Sequence, residues 1–223
     1  MKLLLTSGGV TNAAIGAALV DLLPRPVEEC RALLVPTAQW GHPMCGPGSV
    51  RGAVVGAAPH DQSGVSLPWA SVGLLELTAL PSIGAERWEP WVRDTDVLLV
   101  DGGDATYLAH WLRASGLLDV LATMPALVWV GTSAGSMVAT PRIGADFVEW
   151  AGAEDDRTLG WVDVSIFPHL DHPQMPENTL AAARSWAAGL DHPSYALDDD
   201  SALVVDDGQV RVVSEGRWER LGA

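Results

Sequence analysis

Ser133 lies in the segment Gly131–Gly135, which has the G-x-S-x-G spacing of a nucleophile elbow. In such an elbow the serine projects from a tight strand-to-helix turn, and small neighbours let the turn close without side-chain clashes. The segment follows the apolar run Ala126–Val130 and precedes a helix-compatible stretch, which is the context an elbow requires. A glycine-rich turn with a serine helix cap is the alternative. The context favours a nucleophilic serine and hydrolysis through an acyl-enzyme.

A nucleophilic serine needs a general base, which is usually histidine. His169 follows the predicted strand Trp161–Phe167 at its C-terminal end, where parallel sheets place their functional loops. His172 is the competing candidate, and an ordinary surface histidine is the alternative for both. The position of His169 makes it the predicted base.

The base needs a carboxylate that fixes its tautomer. Asp146 and Glu149 lie between the elbow and His169, in the order nucleophile, acid, base that working triads use. We expect Asp146 to be the acid, with Glu149 as the alternative. The run Asp198–Asp200 is predicted instead to cap the turn before the last hairpin.

A second glycine-rich turn, Gly102-Gly103-Asp104, ends the predicted strand Asp96–Val100. Its backbone N–H groups could complete an oxyanion hole beside the N–H of Ala134. The alternative is an ordinary strand-to-helix loop with Asp104 as the helix N-cap, and both interpretations are compatible.

Short apolar runs alternate with helical patterns along the chain, which is typical of βαβ units. We therefore expect a single α/β domain over residues 1–223, with a mostly parallel sheet flanked by helices on both faces and a C-terminal antiparallel hairpin. Residues 41–71 are rich in Gly, Pro and Ser and are predicted to form an irregular, mobile loop. The predicted strands are Lys2–Thr6, Arg31–Pro36, Val72–Thr78, Asp96–Val100, Ala126–Val130, Trp161–Phe167, Ser201–Val205 and Gln209–Ser214. The predicted helices are Asn12–Leu22, Gly84–Arg93, Thr106–Ser115, Ala134–Thr140 and Glu177–Leu190.

The composition excludes several classes of function. Of the 223 residues 48% are hydrophobic, and 28 acidic residues against 13 basic ones leave a net charge of −15. This acidity, without a basic stripe, argues against a nucleic-acid partner. No apolar run approaches the roughly 18 residues of a membrane span. The sequence contains no metal-binding or nucleotide-binding motif, so no cofactor is expected. With only two cysteines, the composition fits a cytoplasmic protein, expected as a monomer or homodimer.

These motifs, in this order and spacing, resemble the dipeptidase E and cyanophycinase family of serine peptidases, which is related in fold to class I glutamine amidotransferases. The matching segments cover most of the chain. They are Leu3–Gly9, Val35–Ala38, Val100–Leu108, Gly131–Gly135, Phe167–His169 with Asp171, and Ala196–Asp198 with Ser201–Val205.

The resemblance implies a Ser-His-acid triad with Ser133 as nucleophile and His169 as base, and an oxyanion hole formed by Gly103 and Ala134. It also implies a small peptide substrate, since the bacterial dipeptidases of this family release an N-terminal aspartate from short peptides. Such a substrate needs a cationic or multi-donor pocket for its carboxylate, and Arg142, just past the elbow helix, is the candidate. A surface ion pair is the alternative role for Arg142. The rival functions are another serine hydrolase of this fold, acting on a cyanophycin-like polymer or another amide, and an inactive binding protein.

Overall fold

The computed structural model describes residues 1–56 and 64–222, which form ten strands and seven α-helices. The strands are β1 (Lys2–Thr6), β2 (Arg31–Val35), β3 (Ser71–Leu74), β4 (Val97–Val100), β5 (Val128–Thr132), β6 (Ser165–Phe167), β7 (Ser194–Leu197), β8 (Ser201–Asp206), β9 (Gln209–Ser214) and β10 (Trp218–Leu221). The helices are α1 (Ala13–Leu22), α2 (Pro47–Val55), α3 (Ala85–Arg93), α4 (Ala105–Ala114), α5 (Leu117–Leu121), α6 (Ala134–Met137) and α7 (Leu180–Ala187).

The larger sheet has the strand order β3-β2-β4-β5-β1-β8-β9. The strands from β3 to β1 pair in parallel, whereas β8 pairs antiparallel with β1 and β9 pairs antiparallel with β8. Asp207 and Gly208 both have positive φ, 47° and 74°, as expected for the tight turn of a β8–β9 hairpin. This confirms the predicted α/β class, with its mostly parallel sheet and antiparallel hairpin.

Helices cover both faces of this sheet, and its central strands are therefore buried on both sides. Side chains alternate between the faces along β1: Leu3 and Leu5 pack in one apolar cluster and Leu4 in another. The first cluster includes buried residues of α3, α4 and α5, and the second includes residues of α1 and α2. Every residue of β4 and β5 is buried, which explains why both appear in the sequence as continuous apolar runs.

A smaller sheet, with the order β10-β7-β6, was not predicted from the sequence. In it β6 and β7 pair in parallel, so the loops that follow them emerge at the same edge. The predicted strand Trp161–Phe167 is wrong in its first half. Trp161 and Val162 donate their backbone N–H groups to the carbonyl of Ala139, and only Ser165–Phe167 pairs as a strand.

Other predicted elements also differ in extent. The elbow helix stops at Met137 instead of Thr140, and α7 is shorter at both ends than the predicted Glu177–Leu190. Residues 41–71, predicted to be irregular, contain α2, which ends at Gly56 in the left-handed conformation. Residues 57–63 of that predicted loop lie outside the described residues. None of the helices described is long and apolar enough to cross a membrane.

Candidate active site

Ser133 lies at the turn between β5 and α6, with φ 50° and ψ −114°. A non-glycine residue with positive φ is strained by about 1–3 kcal/mol and needs support from its surroundings. The flanking glycines allow the turn to close. A Cβ added to Gly131 would lie 2.3 Å from the carbonyl oxygen of Gly135, and one added to Gly135 would lie 2.1 Å from that of Val100. The local backbone is therefore that of a nucleophile elbow.

His169 lies directly against this serine. Its Nε2 is 2.9 Å from Ser133 Oγ, and its Nδ1 is 2.6 Å from Oδ1 of Asp199. A carboxylate can only accept, so Nδ1 carries the ring proton and Nε2 is left to accept the serine hydroxyl hydrogen. This is the tautomer in which a histidine acts as a general base toward serine.

Asp199 lies in the loop between β7 and β8 and accepts hydrogen bonds from several sides. Besides His169, the hydroxyl of Ser7 donates to Oδ1 at 3.2 Å, and His172 Nε2 lies 3.4 Å from Oδ2. Partial burial acts to raise the pKa of Asp199, but the hydrogen bonds and charges of these neighbours outweigh it, and the pKa lies below its ordinary value. The carboxylate is thus held in its ionised, hydrogen-bond-accepting form.

The glycine-rich turn after β4 lies beside the elbow. A Cβ on Gly102 would lie 3.4 Å from Ser133 Cβ, and the N–H of Gly102 donates to Asp101 Oδ1 at 2.8 Å. By contrast, in residues 1–56 and 64–222 the N–H groups of Gly103 and Ala134 donate to no protein acceptor. These are the two N–H groups that the family resemblance implies for an oxyanion hole.

The carboxylate of Asp104 fixes this turn in place. It is 1% exposed and accepts four hydrogen bonds. Oδ1 accepts from the N–H of Tyr107 and the hydroxyl of Thr106, as the predicted cap of α4. Oδ2 accepts from the N–H groups of Glu149 and Trp150, at 2.9 Å and 2.8 Å. Asp104 therefore joins the start of α4 to the segment that follows the elbow helix.

Residues 71–213 match the model of peptidase family S51. The chain belongs to peptidase family S51. This confirms the resemblance seen in the sequence, and the matched residues include the elbow, His169 and Asp199.

Two solved structures have a similar fold. A Listeria monocytogenes EGD-e protein assigned as a peptidase E superposes with a TM-score of 0.70 at 17% identity, covering 96% of this chain and 98% of the other. A peptidase from an acI-B1 actinobacterium superposes with a TM-score of 0.66 at 19% identity, covering 97% of this chain and 88% of the other. At these identities the likeness is one of fold. No curated protein sequence matches the chain significantly.

The carboxylate beside His169 differs from the one expected in this S51 chain. Asp146 is exposed in a single 3-10 turn, and Glu149 is also exposed and contributes its backbone N–H to Asp104. Neither side chain hydrogen-bonds to His169, and Asp199 occupies the expected position. Of the run Asp198–Asp200, which was predicted to cap the turn before the hairpin, only Asp198 does so. Its Oδ1 accepts hydrogen bonds from the N–H of Asp200 and the hydroxyl of Ser201.

Arg142 lies away from the elbow serine. Its Nε donates to both oxygens of Asp156, at 3.0 Å and 3.2 Å, and this bond raises the pKa of the guanidinium. The backbone carbonyl of Arg142 accepts a hydrogen bond from the hydroxyl of Ser165, the first residue of β6. His169 follows the last residue of β6, so Arg142 and His169 lie at opposite ends of this strand. In the structure Arg142 therefore forms an ion pair, which was the alternative to substrate binding expected from the sequence.

Ser7 is the site residue that the sequence did not single out. It follows β1, is fully buried, and contacts both His169 and Asp199. The only local signal is that a serine comes directly after a strand that ends at Thr6, followed by two glycines. No group of three or more His, Cys, Asp or Glu side chains in the described residues is arranged to hold a metal ion.

Proposed function

We propose that this chain is a serine peptidase that hydrolyses short peptides through an acyl-enzyme, with Ser133 as nucleophile, His169 as base and Asp199 as acid. The observation that carries the proposal is the continuous hydrogen-bonded chain from Ser133 Oγ through the imidazole to Asp199 Oδ1. The strained backbone of Ser133 adds support, because strain of this kind is typical of a nucleophile elbow.

In the proposed reaction His169 Nε2 takes the hydroxyl proton as Ser133 Oγ attacks the peptide carbonyl. The N–H groups of Gly103 and Ala134 stabilise the oxyanion of the tetrahedral intermediate. His169 then gives its proton to the leaving amine, and an ester to Ser133 remains. Water, deprotonated by His169, hydrolyses that ester, while ionised Asp199 stabilises the imidazolium without itself taking the proton.

The proposed substrates are dipeptides and other short peptides, with an N-terminal aspartate as the first candidate because of the family resemblance. The guanidinium of Arg142 is bound to Asp156, so the aspartate carboxylate of such a substrate would be held by other donors. The proposal places the enzyme in the cytoplasm, where its free thiols, Cys30 and Cys45, would stay reduced.

A fluorophosphonate probe tests the nucleophile. We expect mass spectrometry to locate the adduct on Ser133 in the intact protein, with no adduct in Ser133→Ala and normal labelling in Ser82→Ala, which changes an exposed serine. Equal labelling of Ser133→Ala would contradict the assignment. No labelling of the wild type would favour a binding protein.

A panel of dipeptides, Asp-X beside Ala-X and Arg-X, tests the substrate class by chromatography of the released amino acids. We expect cleavage by the wild type and a loss of several orders of magnitude in kcat for Ser133→Ala. A protein that is labelled at Ser133 but cleaves none of the panel is a serine hydrolase with a different substrate.

A further inference from the structure

We propose that Ser7 is a positioning residue for the proposed triad, whose hydroxyl fixes the base and the acid relative to each other. The inference rests on the proposed function, because it gives Ser7 a role only if His169 and Asp199 act as base and acid. Ser7 lies outside residues 71–213, the part of the chain that matches the family model.

The hydroxyl of Ser7 makes one hydrogen bond to each partner. Its oxygen accepts the backbone N–H of His169 at 2.7 Å, and its hydrogen is donated to Asp199 Oδ1 at 3.2 Å. A backbone N–H can only donate and a carboxylate can only accept, so the direction of both bonds is unambiguous. Oδ1 is also the oxygen that accepts from the ring of His169. The three groups therefore close a ring of hydrogen bonds around one carboxylate oxygen.

The end of β1 holds Ser7 in place and also contacts the nucleophile. The N–H of Ser7 donates to the carbonyl of Ser201 at 3.2 Å, next to the antiparallel pairing of β1 with β8. One residue earlier, the carbonyl of Thr6 accepts the N–H of Ser133 at 3.0 Å. All three residues of the proposed triad are thus hydrogen-bonded to the dipeptide Thr6-Ser7. This dipeptide sets the distances among nucleophile, base and acid.

The bond to the backbone of His169 matters because that residue has φ 57°, a conformation that L-residues rarely adopt. An acceptor at its N–H holds the peptide in this orientation and so directs the imidazole at Ser133. Without the hydroxyl, the partly buried N–H of His169 loses its acceptor and Asp199 loses one donor. The expected defect is in proton transfer and not in substrate binding, so a rate constant should fall while affinity stays the same.

Ser7→Ala is the test variant, and Ser115→Ala is its matched control. Ser115 is also a buried serine whose hydroxyl accepts one backbone N–H, that of Leu117, and donates to one oxygen, the carbonyl of Leu112. It lies between α4 and α5, outside the proposed site. The readouts are thermal unfolding and the saturation kinetics of fluorophosphonate labelling at Ser133.

We expect the maximal labelling rate of Ser7→Ala to fall about tenfold or more, because aligned proton transfer is worth 10²–10⁴-fold in rate. The half-saturating probe concentration should stay near the wild-type value. Ser115→Ala should lose comparable thermal stability and keep the wild-type labelling rate. Ser7→Thr retains a hydroxyl and should recover most of the rate. The downfield proton resonance of His169 Nδ1–H should shift in Ser7→Ala alone.

Wild-type labelling separates the two proposals. If the wild type is not labelled at Ser133, the proposed function itself fails. If the wild type is labelled and folded Ser7→Ala reacts as fast, or loses no more rate than Ser115→Ala, the role of Ser7 is overturned. Should Ser7→Ala fail to fold, Ser7→Cys decides, because it leaves no cavity and puts a weaker donor and acceptor at the same position. A reduced rate in Ser7→Cys supports the role, and a wild-type rate overturns it.

Discussion

Oδ1 of Asp199 lies 2.6 Å from Nδ1 of His169, a residue 30 positions earlier in the sequence. The contact follows from the parallel pairing of β6 with β7, because His169 follows the first of these strands and Asp199 follows the second. The loops after two adjacent parallel strands meet at one sheet edge, and functional residues collect there. The acid of the proposed triad therefore comes from a strand partner of the base.

Replacing Asp199 by Asn should abolish most activity. The amide can donate to Nδ1, which favours the tautomer with the proton on Nε2, where it blocks acceptance from Ser133. We expect kcat to fall by roughly 10³–10⁴-fold, measured from initial rates on the best dipeptide of the panel. Asp146→Asn and Glu149→Gln are the controls and should remain near wild type. If either control lost most of its activity while Asp199→Asn stayed active, the acid would be Asp146 or Glu149 and not Asp199.

The stability of the protein should depend on pH through Asp199. Its pKa is lower in the folded protein than in the unfolded chain, so its ionised form stabilises the fold above the unfolded pKa of about 3.9. That contribution disappears as the pH falls through the folded pKa. The difference in unfolding free energy between wild type and Asp199→Asn, measured in urea, should therefore be larger at about pH 6 than at about pH 3. A difference that is constant or grows in acid would show that the sign is wrong.

Gly8→Ala should damage the site while the fold persists. A Cβ at Gly8 would lie 2.5 Å from Asp199 Cβ and 2.8 Å from its carbonyl oxygen, so the loop that carries the acid must move. We expect slower fluorophosphonate labelling of Ser133. The matched control is Gly16→Ala in α1, where the added Cβ would meet its nearest neighbour at 4.0 Å. This change should stabilise the helix by about 0.5–1 kcal/mol and leave labelling unchanged. Equal labelling of both variants would refute the steric argument.

Asp104→Ala should weaken both the fold and the proposed oxyanion hole. Three backbone N–H groups and one hydroxyl lose their acceptor, at a cost of about 3 kcal/mol or more in unfolding free energy, since each unsatisfied buried group costs 1–3 kcal/mol. Labelling should slow because the neighbouring turn with Gly103 is released. Thr179→Ala is the control: it removes the cap of α7, which has a single bond to Ala182, and should cost about 1 kcal/mol without slowing labelling. Labelling slowed equally in both would point to a general loss of order.

Arg142→Gln should reduce stability without changing substrate preference. The carboxylate of Asp156 is largely buried and would lose the guanidinium that pairs with it. We expect a lower midpoint of urea unfolding and an unchanged ratio of kcat/KM between Asp-X and Ala-X dipeptides. A selective rise in KM for Asp-X would instead restore Arg142 as a group that binds the substrate carboxylate.

The larger sheet could be predicted because each of its central strands has a recognisable pattern in its own sequence. β4 and the first three residues of β5 form continuous apolar runs, and the β8–β9 hairpin carries an Asp-Gly turn between its two strands. The smaller sheet could not be predicted as a sheet. Its strand β6 was contained in the predicted strand Trp161–Phe167, but β7 and β10, with four residues each and no continuous apolar run, carry no such local signal.

The same reason limits what could be predicted of the site. The elbow around Ser133 is a local motif, and His169 was found from its place after an apolar strand. The contact of Asp199 depends on β6 lying beside β7, and that of Ser7 depends on β1 lying next to β8. Both are long-range pairings. Three consecutive aspartates look alike in the sequence, and only the fold distinguishes Asp199, which faces the histidine, from Asp198, which caps the turn.

The pairing of β1 with β8 also has a consequence for how the protein is made. Asp199 follows His169 by 30 positions, so a ribosome produces Ser133 and His169 before the proposed acid and before β8, which pairs with β1. A nascent chain that includes His169 but ends before Asp199 has the proposed nucleophile and base without their carboxylate. Competence for the proposed hydrolysis would then arise only after β7 and β8 have been made and β8 has paired with β1. We expect chains that end before Asp199 to lack most of the proposed activity, because they lack the proposed acid.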